Sequence, residues 1–217
     1  MSLLPPSASV ALPADGPKLH SPSAVRNTPV IVALLQEVAP AQGRALEIAS
    51  GTGQHVVAMA TALPAITWHP TDIVNDRLAS IDAYAAEAAL PNLRPAQHLD
   101  AARDGWAAEH EPYDLIYLGN LLHLIATTDA RAVLAGAAAA LAPQGTLVIY
   151  GPFMRAGILT SEGDRRFNTE LRAANPEIGY KDDDWVAEVL DALGLRHRTV
   201  RDMPANNMSL IARRHPQ

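Results

Sequence analysis

One acidic residue, Glu47, interrupts the apolar run RALEIAS, and the chain then turns through Gly51 and Gly53 into QHVVAMA, an apolar run at helical spacing. A carboxylate in such a strand needs a charge, a donor-rich loop or a ligand to compensate its burial; a structural salt bridge is the plain reading. Asp72 stands about 20 residues beyond the turn, the offset at which an acid bonds a ribose hydroxyl pair in nucleotide-binding α/β folds. It could also cap the helix that follows. His123 comes just after the fourth apolar segment, and an imidazole with its ordinary pKa of about 6.5 suits a general base or a residue that positions substrate. The segment YGPFMRAGILTSEGDRRFN carries Tyr150, Phe153, Arg155 and Phe167, aromatic and polar groups placed to cover an acceptor. Asn206 and Asn207 in MPANNMS suit either the same mouth or a plain hairpin turn.

The elements that must hold these groups alternate. A helix is expected from Thr28 as N-cap and Pro29 at its first position. Then come a strand at RALEIAS, a helix from about Gly53, a strand at AITWHPTD, and a helix capped at Asn75. A weaker strand at NLRPAQHLD follows, where Pro95 suits an edge, then a short buried strand at YDLIYLGN. The helix ARAVLAGAAAALA and, after a Pro143-Gln144-Gly145 turn, the strand GTLVIYGP complete the alternation. Such a pattern predicts a doubly wound, mostly parallel sheet covered on both faces. Helices around 162–174 and 182–193 precede two apolar runs about PANN, which read as a C-terminal antiparallel hairpin. The acids of KDDDW suit a solvated helix start.

The 217 residues are most simply one domain, 23–217, preceded by a Pro- and Ser-rich arm, 1–22, suited to a lid. A formal charge of −6 argues against a nucleic-acid surface. The absence of cysteine excludes disulfides, thiolate metal sites and a Cys nucleophile. The eight histidines lack metal spacing, so no metal is expected. No apolar run reaches about 18 residues, and the N-terminus does not read as a signal peptide. No membrane association is expected, and a cytoplasmic protein is the default.

Ligands of doubly wound sheets settle at the carboxyl ends of the strands, where ASGTG lies. A dinucleotide prefers G-x-G-x-x-G, but the third glycine is replaced by Val56, which disfavours a nicotinamide-dependent enzyme. LEIASGTGQH resembles instead the first motif of class I S-adenosylmethionine-dependent methyltransferases. With RNTPVIVALL, WHPTD, LGNLLHL, LVIYGPF, TSEGDRRFN and MPANNMSL, the chain more narrowly resembles the DUF938 family of methyltransferase-like proteins. The resemblance spans about residues 24–212 and implies the seven-stranded, Rossmann-like class I fold. Ala49 stands where the general motif has its first glycine, and since alanine disfavours φ > 0 an ordinary strand-end conformation is expected there.

The resemblance implies S-adenosyl-L-methionine as cofactor. It sets Glu47 near the methionine amine, the backbone of Ala49, Ser50, Gly51 and Gly53 beside the ligand, and Asp72 at the ribose. It sets Asp100 against the adenine amino group, Asn120 near the ammonium, and Arg26, just before the first helix, at the methionine carboxylate. The expected function is methyl transfer to a small-molecule nucleophile. The alternative is a non-catalytic module that binds the donor or a partner protein. A homodimer through the edge hairpin is compatible with the sequence.

Overall fold

The computed structural model describes residues 4–214; Met1–Leu3 of the arm and His215–Gln217 of the expected domain lie outside the described residues. A small hairpin, β1 (Leu12–Pro13) and β2 (Leu19–His20), leads into α1 (Pro22–Val38). The alternating part runs β3 (Gly43–Ile48), α2 (Gln54–Ala62), β4 (Ile66–Asp72), α3 (Asn75–Ala88), β5 (Gln97–His98), β6 (Tyr113–Gly119), α4 (Thr127–Ala140) and β7 (Leu141–Gly151). It closes with α5 (Glu162–Ala174), α6 (Asp183–Ala192), β8 (His197–Asp202) and β9 (Met208–Arg213).

The main sheet has seven strands in the order β5-β4-β3-β6-β7-β9-β8. Strands β3 to β7 pair in parallel, and β9 is antiparallel to both of its neighbours. The alternation of strands and helices thus produces the doubly wound sheet with the expected antiparallel hairpin. Side chains alternate across the sheet. Leu46, Ile48, Ile116 and Leu118 pack toward α4 and α6, while Ala45, Leu115 and Val148 pack toward Ile31, Leu35, Met59 and Ile81 of α1, α2 and α3.

Four local expectations are corrected. Helix α1 begins at Pro22, with Ser21 as the N-cap accepting from Ala24 N, so Pro29 is inside the helix. That proline is tolerated because Val25, whose carbonyl its missing N–H would have served, lies with it on the exposed face, where water can reach. Helix α3 is capped not by Asn75 but by a loop in which Asp72 Oδ1 accepts from Val74 N at 3.0 Å. The Pro143-Gln144-Gly145 turn is absorbed into β7, where Gln144 takes φ 64° and the register with β6 shifts between Tyr113 and Leu115. The weak third strand contracts to β5 and a bridge between Trp68 and Leu93.

The arm is tied to the body on two sides. Ser7 Oγ donates to Glu170 Oε2 of α5 at 2.6 Å, and Arg77 of α3 donates to Ser9 Oγ. Ala8 is buried against Leu171, Ile178 and Tyr180, and Leu19 N donates to Ser80 Oγ at 2.8 Å.

Candidate functional site

Strand order reverses between β3 and β6, because the chain moves outward from β3 through β4 and returns to the far side of β3 at β6. The carboxyl ends of these two strands therefore flank a crevice, the usual ligand position in open α/β sheets. Both strands leave the sheet through a left-handed residue, Ala49 at φ 56° and Asn120 at φ 55°. The expectation for Ala49 was the opposite. A non-glycine residue there costs about 1 kcal/mol, and the surrounding hydrogen bonds hold it. Ser50 N donates to Thr71 O at 2.7 Å, Thr71 N to Ser50 Oγ at 3.1 Å, and Thr71 Oγ1 to Glu47 O at 2.8 Å.

The two turn glycines serve different ends. A Cβ on Gly53, at φ 92°, would stand 2.8 Å from Ile81 Cα, so this glycine lets α2 and α3 approach. A Cβ on Gly51, at φ 63°, would meet nothing within 4 Å, and Gly51 faces the crevice. The crevice widens into a cavity of about 500 Å³, well within the range of small-molecule sites. Its floor is Ala49, Ser50, Gly51 and Thr52; Arg26 and Asn27 of α1 and His55 of α2 form one wall. Asn120, His123, Phe167 and Tyr180 form the other, and Ser9, Val10 and Ala11 of the arm lie across it. Arg26 belongs to the second turn of α1 rather than preceding the helix.

The expected acids lie behind this surface. Glu47 is 2 % exposed and its Oε2 has no hydrogen-bond partner. Burial pushes its carboxyl up to about 8, the Ser50 hydroxyl opposes that shift, and Asp72 adds to it. Asp72 is also buried; its Oδ2 accepts from Gly51 N at 2.9 Å, and Arg77 Nη1 is 3.9 Å away. Asp72 therefore shapes the turn and is not part of the cavity wall. Asp100 lies elsewhere, in a shallow depression with His98, Arg103 and Glu109, and its Oδ1 accepts from Ala102 N at 3.0 Å as a turn residue does.

His123 lies on a 3-10 turn, Leu122–Leu124, and is 6 % exposed, lining the cavity. The expected ordinary pKa is corrected: burial, with Lys181 nearby, pushes the imidazole down to about 3. His123 is thus neutral. Of the other residues expected near an acceptor, Asn207 lines the cavity. Phe153 is in the core beneath α4 and α6, Arg155 pairs with Asp202 at 2.5 Å, and Asn206 donates to Thr160 Oγ1 at 2.8 Å and to Asp164. Tyr150 is buried, its hydroxyl lies outside the cavity wall, and burial raises its pKa to about 12.

Sequence reasoning passed over Asn27, Arg77 and Tyr180 of the wall. Asn27 sits in the quoted RN pair and is buried at the cavity. His55 is held by an assignable hydrogen bond: Thr28 Oγ1 gives its proton to Ala24 O at 2.7 Å, so at the 3.0 Å contact His55 Nδ1 must be the donor. Burial also lowers His55 to about 4, leaving a neutral ring with its lone pair on Nε2. Arg77 and Tyr180 gave no local signal, because their positions depend on how α3 and the α5–α6 connection pack. Among the described residues, the charged side chains of the cavity wall are Arg26 and Arg77, with no acid. The acidic trio Asp182, Asp183 and Asp184 does not line the cavity; Asp182 accepts from the N–H groups of Gly157 and Asp184, and Asp183 from that of Ala156.

This sheet order, with a lone antiparallel strand and a cavity at the β3–β6 reversal, defines the class I methyltransferase fold. An O-methyltransferase family protein from Burkholderia thailandensis superposes with a TM-score of 0.78 at 19 % identity, covering 89 % of this chain and 58 % of that one. A putative O-methyltransferase from Nostoc punctiforme PCC 73102 gives 0.75 at 18 %, over 87 % and 56 %. Human N-acetylserotonin methyltransferase, solved in complex with SAM, gives 0.72 at 14 %, over 87 % and 52 %. The chain spans little more than half the length of these structures. Residues 18–214 match DUF938, described as a protein of unknown function, and the chain belongs to that family. Among the described residues no helix is long and apolar enough to cross a membrane.

Proposed function

We propose that this protein binds S-adenosylmethionine in the β3–β6 cavity and transfers its methyl group to a small-molecule nucleophile. The observation that carries the reading is the turn Ala49–Gly53: it offers backbone to the cavity at Gly51, where a side chain would project into open space, and it directly follows the strand that carries buried Glu47, whose Oε2 has no hydrogen-bond partner. A buried carboxyl with one oxygen unpaired fits a ligand carrying positive charge. Solved neighbours include PigF with SAH and CalO1 in an SAH-bound form, which supports the same donor here.

In this reading Arg26 would hold the donor's carboxylate, the Ser50–Thr52 backbone and Asn120 its ammonium end, and Asp72, through the turn it orders, the ribose side. When bound, the donor supplies an electrophilic methyl on a sulfonium. The protein's own work is alignment of acceptor, carbon and sulfur, together with exclusion of water. The arm segment 7–11, clasped to α3 and α5, is suited to that exclusion. His123 remains neutral and offers a lone pair to the acceptor's hydrogen.

The test is turnover. Incubation with S-adenosylmethionine and an acceptor panel, read by coupled detection of homocysteine, is expected to give product that requires the chain. Donor binding without transfer to any panel or extract component would favour the non-catalytic module.

A further inference from the structure

The far wall of the cavity holds three rings from three parts of the chain. His123 comes from the turn after β6, Phe167 from α5, and Tyr180 from the α5–α6 connection. Their centroids are 5.7, 6.0 and 6.2 Å apart, and every pair is edge-to-face. The ring positions are fixed by polar contacts outside the cavity. Gly179 N donates to His123 O at 3.0 Å, Tyr180 N to Asn168 Oδ1 at 2.8 Å, and the Tyr180 hydroxyl to Asp164 Oδ1 at 3.1 Å. Tyr180 thus spends its polar end on Asp164 and gives the cavity the ring itself.

Such a preorganised set of rings prefers another aromatic ring, which gains from edge-to-face geometry as well as area. The charge pattern narrows the class. The described lining carries no acid, so a protonated amine beside these rings would lack a counter-charge, whereas a neutral hydroxyl needs none. We propose that this wall is the acceptor subsite and that it takes a planar aromatic compound bearing a hydroxyl, with the O–H directed to His123. This rests on the methyl-donor reading above. In the transfer, an oxygen lone pair forms the new C–O bond while the pair of the breaking S–C bond stays on sulfur. The hydroxyl proton leaves to water while His123 accepts the O–H hydrogen bond and holds the oxygen in line, leaving an aryl methyl ether and a neutral thioether.

The experiment uses the full chain with S-adenosylhomocysteine present. Binding of catechol, cyclohexane-1,2-diol and benzylamine is followed by ligand-observed NMR, for the wild type and for Phe167→Ala. Catechol is expected to bind at least about tenfold tighter than the other two, and Phe167→Ala to weaken it about tenfold, the scale of one lost ring contact with its area. Affinity for S-adenosylhomocysteine, measured separately by calorimetry, is expected to stay unchanged in the variant. Equal binding of catechol and the saturated diol, no catechol binding, or indifference to Phe167→Ala would each overturn the proposal. Failure of the donor reading has a different signature: a wild-type chain that does not bind S-adenosylhomocysteine.

Discussion

Glu47 and Tyr117 stand opposite each other in the parallel register of β3 and β6, both buried, and neither Glu47 Oε2 nor the Tyr117 hydroxyl has a hydrogen-bond partner. Burial pushes both groups toward their protonated forms. Since the Glu47 carboxyl rises from 4.5 to about 8 on folding, its stabilising effect is complete below the lower value and lost as pH climbs through the upper one. The ligand-free protein should therefore melt at progressively lower temperature between those pH values. The Glu47 contribution to that slope is on the order of 5 kcal/mol. Glu47→Gln, which cannot ionise, should flatten the slope and melt higher than wild type on the alkaline side. Parallel slopes in thermal melts would show that the carboxyl is not so perturbed.

The two turn glycines should respond in opposite ways to alanine. Gly53→Ala sets a methyl 2.8 Å from backbone and should destabilise the fold by about 3 kcal/mol or more. Gly51→Ala meets open space, so it should cost only about 1 kcal/mol of backbone strain while weakening donor affinity through the methyl in the cavity. Denaturant melts and calorimetry on the pair test the contrast; equal stability losses would contradict it.

How much of this was legible beforehand follows from where each signal lives. The acid-turn-helix string around Glu47 and Gly51 is local, and the strand–helix alternation is a period, so the sheet and its crevice could be read directly. Backbone conformation was harder. Ala49 is left-handed because Ser50 and Thr71 bond across two strands, and a propensity for alanine contains nothing of that contact. The start of α1 was misjudged because Thr28-Pro29 imitates a cap that Ser21-Pro22 supplies in fact. Arg155 and Phe153 were close in sequence to the mouth but turned to Asp202 and to the core. Phe167 and Tyr180 reach the cavity only because α5 and the segment after it pack with Ala8, Leu124 and Met154.

His123 should not titrate in the working range. With its pKa pushed down to about 3, the ring is neutral from mildly acidic pH upward, so it should impose no inflection near pH 6 to 7 on the pH–rate profile. His123→Leu, which removes the hydrogen-bond acceptor, should lower kcat by about 10-fold with little change in donor affinity, and His123→Asn should recover part of the loss. An imidazole inflection in the wild-type profile that disappears in either variant would contradict the neutral assignment.

His55 makes a second prediction of the same kind, by a different observable. Nitrogen NMR should find the Nδ1–H tautomer with a midpoint close to 4. Thr28→Val, which removes the acceptor, should cost about 1 kcal/mol of stability and release that tautomer. An Nε2–H tautomer would refute the hydrogen-bond assignment, and a midpoint close to 6.5, the ordinary histidine value, would refute the effect of burial.

The most direct measurement is calorimetric titration of the wild-type chain with S-adenosylhomocysteine at pH 7 in two buffers of different ionisation enthalpy. An ammonium-bearing ligand beside Glu47 should lower its raised pKa, so the account predicts saturable binding with release of nearly one proton, and loss of that release in Glu47→Gln. Absence of binding at millimolar ligand, or binding with no buffer dependence, would contradict it.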